Sequence, residues 1–256
     1  MIAVGFYSGP VIVTDSLIFN FDAGNDKCTD ADDDVTSMRD IGSVAHSSRT
    51  DRGLTGAGET GNFSFPTNAG AVKSINIGVT GRNSSVDATN YQNRIGLDDD
   101  ILLADESAWT FEFWAKPNAN AEHTFLSLAG RGATSPWFIW QHGSTTFYPR
   151  YRDNNGNYYR DSANTNCPDP DDWHQVVFTA DTSRNISFYK DGELLGGSVQ
   201  AADTQTQFNR FMAGYSSGTT RYNFQGDFLC IRVYSKTLSA AEVLQNFNAT
   251  RRRVGI

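Results

Sequence analysis

A two-sheet antiparallel jelly roll, all-β except for one short C-terminal helix, is predicted by three features of this 256-residue chain. Apolar and polar residues alternate with period two in several short runs, which is the pattern of half-buried strands. Gly, Asn and Asp turn residues separate those runs at close intervals, as they do in sandwiches and jelly rolls. Helix signals are confined to one stretch near the end. With 39% hydrophobic residues, the chain can bury one sizeable core. The expected division is an N-terminal arm, residues 1–14, followed by a single domain, residues 15–256.

The strands follow in order. In "WTFEFWAKP" (109–117), Trp109, Phe111, Phe113 and Ala115 share one face, Thr110, Glu112, Trp114 and Lys116 share the other, and Pro117 ends the run. Glu112, alone between two phenylalanines, reads as an outward or edge carboxylate. "PWFIWQH" (136–142) and "TTFYPRYR" (145–152) form a further pair, and Asn154-Asn155-Gly156-Asn157 supplies the turn after them. "DDWHQVVFTAD" (171–181) precedes "NISFYKDGELLGG" (185–197), where Asp191-Gly192 marks a tight hairpin because glycine tolerates positive φ. "GDFLCIRVY" (226–234) is apolar on both faces around Leu229 and Cys230, so both faces are expected to be covered, one by the core and one by the helix or a neighbouring subunit. Ser239 with Glu242 is a capping box that opens the helix, whose stripe of Val243, Leu244 and Phe247 needs a surface, most simply the sandwich.

Charge is uneven. Residues 15–40 hold eight Asp against Lys27 and Arg39, a balance of -6 within a total of -8, whereas Arg251, Arg252 and Arg253 stand together near the other end. Two readings of these blocks stand: solvated loop and tail, or complementary assembly contacts. For the tail, one arginine suits the helix C-terminal dipole, while three suit a carboxylate-rich partner such as the Asp30 to Asp34 run on this or a neighbouring subunit. Truncation after Thr250 is expected to shift the thermal transition little. The acidic balance argues against a nucleic-acid partner. The first twenty residues lack Lys and Arg, and their apolar stretch is broken at Gly9-Pro10 and Thr14-Asp15, so neither an export signal nor a membrane span is expected. Cys28, Cys167 and Cys230, odd in number and far apart, read as free thiols.

The runs "GPVIVTDSLIFNFDAGN" (9–25), "WTFEFWAKP", "DDWHQVVFTAD", "ISFYKDGELLGG" and above all "GDFLCIRVYSKTLSAAEVLQNFNATRRRVG" resemble the concanavalin A-like lectin/glucanase superfamily. The resemblance is to its laminin-G-like form common in bacteriophage, especially cyanophage, structural proteins. It implies a jelly roll whose loops or concave face bind glycans, and a virion component. Between Asn25 and Gly42, however, the chain carries an aspartate run where relatives carry a Tyr/Pro/Gly/Ser segment.

Catalysis is not expected. Glucanases of that superfamily need carboxylates spaced along one strand to flank a glycosidic bond, and no strand here has them. "GYSSG" (214–218) matches a serine-hydrolase pattern, but that motif needs a strand-to-helix elbow, and Ser216 sits in a turn of an all-β chain. His46, His123, His142 and His174 form no zinc spacing. Asp30, Asp32 and Asp34 alternate as calcium ligands do, yet Val35 and Ile41 occupy the EF-hand positions six and twelve. Two readings remain for them, a solvated loop and the rim calcium that the resemblance implies. Glycan contact needs aromatic faces with polar partners on a rigid scaffold. Trp140 and His142 on one strand, with Tyr148, Arg150 and Arg152 on the next, meet that need, against the alternative that period-two aromatics are core.

The expectation is therefore a non-enzymatic virion surface protein: a capsid decoration, head-fibre or tail-fibre component assembled in the host cytoplasm. Its expected partners are other virion proteins, copies of itself through Leu229, Cys230 and Arg251 to Arg253, and a host-surface glycan. The alternative is a carbohydrate-binding module or a glucanase-like glycan-processing protein.

Overall fold

Where the sequence alternates, the computed structural model forms strands and stacks them as two antiparallel sheets. It describes residues 10–24, 55–57, 63–64, 75–77, 94–117, 125–129, 137–142, 147–153, 155–160, 172–204, 206–211, 215–217, 220–222 and 226–256. Numbered in chain order, the strands are β1 Leu17–Asp22, β2 Thr55–Ala57, β3 Phe63–Ser64, β4 Ile75–Ile77, β5 Arg94–Leu103, β6 Trp109–Pro117, β7 Phe125–Ala129, β8 Trp137–His142 and β9 Phe147–Arg152. They continue with β10 Tyr158–Arg160, β11 His174–Ala180, β12 Asn185–Lys190, β13 Glu193–Gln200, β14 Thr206–Phe211, β15 Tyr215–Ser217, β16 Thr220–Tyr222 and β17 Gly226–Tyr234. The helix α1 spans Ala240–Thr250, and one 3-10 turn, Arg251–Arg253, follows it.

The first sheet has eight strands in the order β13-β12-β11-β6-β17-β4-β3, with β1 also on β17. The second has seven, β10-β9-β8-β7-β14-β5-β2, and β15 with β16 makes a separate ribbon. Alternation puts Trp109, Phe111, Phe113 and Ala115 of β6 into a core with Val176 and Phe178 of β11, Phe188 of β12 and Phe19 and Phe21 of β1. Leu103 and Tyr151 enter that core from the seven-stranded sheet, and the rings of Trp109 and Tyr151 lie 5.8 Å apart. Each such buried side chain contributes about 1.5–3 kcal/mol of transfer free energy, so this core is the main source of stability.

The other face of β6 is buried too. Residues 10–16 and α1 cover it, with Val13, Leu17, Val177, Tyr234, Leu238 and Val243 in one apolar cluster. Val13 donates its N–H to Asn246 Oδ1 at 2.7 Å, so the segment before residue 15 packs with the domain at this point. Residues 1–9 lie outside the described residues. The capping box forms as expected: Ser239 accepts from the Glu242 N–H while Glu242 accepts from the Ser239 N–H. Lys236 Nζ then bridges Glu242 Oε1 at 2.7 Å and Asp15 Oδ2 at 2.8 Å.

The helix stripe differs from expectation. Val243 is buried, but Leu244 is 45% exposed, and the buried places go to the polar Asn246 and Thr250. The reason lies beneath them, where Glu112 and Arg232 need hydrogen-bonding partners rather than methyl groups. A β-bulge shapes the same surface. The β6–β17 register slips between Phe228 and Cys230, so Leu229 and Cys230 both join Trp114 on the outer side, and alternation resumes at Ile231.

The β12–β13 hairpin turns at Asp191 (φ 51°) and Gly192 (φ 84°), as its sequence predicts. Asp191 accepts the Gln175 N–H at 3.0 Å and meets His174 Nδ1 at 2.8 Å, which fastens the hairpin to β11.

Candidate functional site

The β9–β10 hairpin is organised by Asp153. Its fully buried carboxylate accepts the Asn157 backbone N–H at 2.8 Å, Asn157 Nδ2 at 3.1 Å and the Tyr159 hydroxyl at 2.9 Å. Gly156, at φ 89°, completes the turn. The Tyr159 oxygen accepts the Ala202 N–H at 2.8 Å, the Tyr151 hydroxyl donates to the Asp203 carbonyl at 3.1 Å, and the two rings stack. Burial raises both phenol pKa values, so both remain neutral donors. These bonds anchor the hairpin to residues 201–204 and to the core.

Pairing register then sorts the residues of β8, β9 and β10 by face, because directly opposed residues of an antiparallel ladder lie on the same side. Phe138 opposes Tyr151, and Tyr159 opposes Tyr151 from the other side. Since Tyr151 belongs to the core, Trp140 and His142 fall on the core-side face of β8. The opposite, outer face takes Tyr148, Arg150 and Arg152 of β9, opposed by Gln141, Ile139 and Trp137 of β8. Tyr158 and Arg160 of β10 extend it, opposing Arg152 and Arg150, and Tyr158 is 46% exposed.

The five sequence candidates are therefore divided. Tyr148, Arg150 and Arg152 share the outer face, and Trp140 and His142 do not join them. By register, Trp137, Gln141, Tyr158 and Arg160 share the face of Tyr148, Arg150 and Arg152. Pairing "RYR" with "YYR" around the Asn-Asn-Gly-Asn turn was the signal that would have found the last two.

The concanavalin A-like lectin/glucanases superfamily matches residues 81–244. The chain belongs to this superfamily. No curated protein matches its sequence. Among solved structures, domain 4 of AbnA, a GH43 extracellular arabinanase from Geobacillus stearothermophilus in complex with arabinotriose, is similar with a TM-score of 0.57 and 17% identity, covering 91% of this chain and 99% of that one. The binding domain of botulinum neurotoxin DC in complex with SialylT gives a TM-score of 0.58 at 11% identity, covering 93% of this chain and 52% of that one. The binding domain of Paraclostridial Mosquitocidal Protein 1 gives 0.56 at 14%, covering 91% and 52%. This chain thus spans about half the length of the two toxin domains. At these identities the likeness is one of fold.

Within this concanavalin A-like sandwich, Glu112 is neither outward nor at an edge. It is fully buried on the central strand β6, with Oε1 accepting from Arg232 Nη1 at 2.7 Å and Gln175 Nε2 at 2.9 Å, and Oε2 accepting from Asn246 Nδ2 at 2.6 Å. Asn246 Nδ2 also lies 2.9 Å from the Tyr234 hydroxyl, and Thr250 Oγ1 is 3.4 Å from the Arg232 guanidinium. Closed under α1, the carboxylate is committed to structure.

The expected assembly contacts need correction at two positions. Leu229 and Cys230 are fully buried within the chain, under Trp114, Trp173, Phe247 and Val254, so no partner reaches them. Burial pushes the Cys230 thiol up to about 12. The arginines have separate fates. Arg253 bonds both oxygens of Asp22, at 2.6 and 2.7 Å, Arg251 lies 5.6 Å over the Phe247 ring, and Arg252 is exposed. Burial favours the neutral acid at Asp22, but the Arg253 hydrogen bonds and the charges of Arg253 and Arg232 outweigh it and hold the carboxyl below its usual range.

"GYSSG" runs into the β15–β16 ribbon, with Ser216 opposite Arg221, and not into a strand-to-helix elbow. Asp30, Asp32 and Asp34 lie outside the described residues. Among the described residues, no three His, Cys, Asp or Glu side chains are grouped to hold a metal ion.

Proposed function

We propose that this chain is a non-catalytic glycan-binding domain of a bacteriophage virion, displayed at the particle surface as a capsid decoration or fibre component, and that it holds sugar on the outer face of β8, β9 and β10. One observation carries the glycan reading: aromatic and hydrogen-bonding residues share one face of a hairpin that Asp153 fixes in place. Sugar rings stack on aromatic faces while hydroxyls and charges take polar partners, and a rigid sheet presents both without ordering cost. Trp137, Tyr148 and Tyr158 supply the first kind of contact, and Gln141 and the arginines the second. Solved structures of this fold include one in complex with arabinotriose and one in complex with SialylT, which supports the same reading.

The commitment of Glu112 to Arg232 and Asn246 supports the absence of catalysis, since retaining glycosidases need two carboxyls about 5 Å apart flanking the sugar. The virion assignment, with assembly in the host cytoplasm, rests on the C-terminal run from Gly226 to Gly255. Binding to an array of polysaccharides, alongside a reducing-end assay on each bound one, tests the domain's role. Binding without turnover is expected, and turnover would overturn the non-catalytic reading. Antibody labelling of intact particles tests the location, and labelling confined to the lysate would overturn it.

A further inference from the structure

We propose that the outer face of β8 to β10 selects anionic polysaccharides, with Arg150, Arg152 and Arg160 receiving sugar carboxylate or sulfate groups. The inference rests on the glycan-binding reading above and names the class of glycan. Its basis is a juxtaposition that the register creates. Arg150 stands directly opposite Arg160, and Arg152 lies two residues from Arg150 on the same strand and face. Like charges directly opposed across a ladder destabilise the pair, and diagonal neighbours on one face remain within about 7–8 Å. Three cations are thus concentrated on one face of a chain whose net charge is -8. The carboxylate built into the same hairpin, Asp153, is buried and occupied by Asn157 and Tyr159. An anionic ligand bridging these positions would offset the repulsion between like charges set opposite one another.

The order across the strands fits a charged sugar rather than a bare anion. One row reads Trp137, Arg152, Tyr158, with an arginine between two aromatics, and the next reads Ile139, Arg150, Arg160. Neighbouring strands are about 4.8 Å apart, so a row of three covers about 10 Å, the scale of a disaccharide. Ring faces and anionic substituents of one chain would meet alternating partners along it. The planar guanidinium fork matches carboxylate and sulfate geometry equally, and the two sources are separated by experiment.

Binding of the full chain is measured against two matched pairs: polygalacturonate with its methyl ester, and carrageenan with agarose. The expected result is that the charged member of at least one pair binds about tenfold or more tightly than its uncharged counterpart, with affinity falling as salt rises. Preference within the first pair identifies carboxylate as the group received, and preference within the second identifies sulfate. The Arg150→Ala/Arg160→Ala variant should lose that preference while retaining its thermal transition. If the double variant lacks a cooperative transition, Arg160→Gln on the edge strand replaces it. Equal binding to charged and uncharged members, or a preference that survives loss of the arginines, overturns the inference and leaves glycan binding standing. Failure to bind any of the four polymers or any array glycan overturns the underlying reading as well.

Discussion

Arg253 grips Asp22 through two parallel hydrogen bonds, 2.6 and 2.7 Å long, and so ties the turn after α1 to the end of β1. The bidentate geometry accounts for one arginine of the three and places its acidic partner within the same domain. Gly24 lies in the same contact: a Cβ built there would collide with an Arg253 nitrogen, while its N–H donates to Asp22 Oδ1 at 2.9 Å. Truncation after Thr250 therefore removes a structural contact, and the small thermal shift expected from sequence gives way to a measurable loss of stability.

The pair sets a pH dependence. Because the folded-state pKa of Asp22 is depressed, its contribution is full above the unfolded value of about 3.9 and is lost as pH falls through the lower folded value. Asp22→Asn should cost about 1.5–3 kcal/mol near neutrality. In urea denaturation from pH 7 to pH 2, the difference between parent and variant should shrink below about pH 4. A difference constant across that range would assign the loss to packing instead.

Removing the Glu112 carboxylate should be far more damaging than removing an exposed one. Glu112→Ala leaves Arg232, itself 2% exposed, as an uncompensated buried charge, which costs about 3–5 kcal/mol. Replacing both partners, as in Glu112→Leu/Arg232→Met, should recover most of that loss. Chemical denaturation of the three proteins checks this, and a double variant no better than the single one would contradict it.

Gly192→Ala should lower stability by about 1–3 kcal/mol from backbone strain alone, because φ is 84° there. The added methyl would also sit 2.9 Å from Leu244 Cδ1, so the helix must shift to admit it. Thermal melts compare this variant with Gly197→Ala, whose Cβ meets nothing within 4 Å. Equal losses at the two positions would rule out the helix contact as a cause.

Cys230 should resist thiol reagents at pH 8 while the protein is folded and react on unfolding, since it is fully buried with its thiol pushed up to about 12. Mass spectrometry after labelling, with and without urea, reads this directly. Rapid labelling of Cys230 in the native chain would show that α1 lifts from the sheet.

Period-two alternation made the strands around Trp109 and Phe178 legible, along with the Asp191-Gly192 hairpin and the capping box at Ser239. Alternation states which residues share a face, but it does not say what covers that face. Glu112 therefore looked like an exposed carboxylate, although its partners Arg232 and Asn246 lie 120 and 134 residues away in sequence. The same limit divided the binding candidates. Trp140 and Tyr148 each had a strand face, and only their register with Tyr151 determines which face belongs to the core.

The segment from Pro10 to Asp15 and the turn at Arg253 both lie on the eight-stranded side of the sandwich, whereas β8 to β10 end the other sheet. Anything joined after Ile256 is thus attached on the side of the sandwich away from β8 to β10. If β8 to β10 hold sugar as proposed, a rigid fusion at Ile256 should leave that affinity unchanged, and copies grafted by that end onto a shell or a bead would present the same side outward, which multiplies single contacts into a multivalent coat.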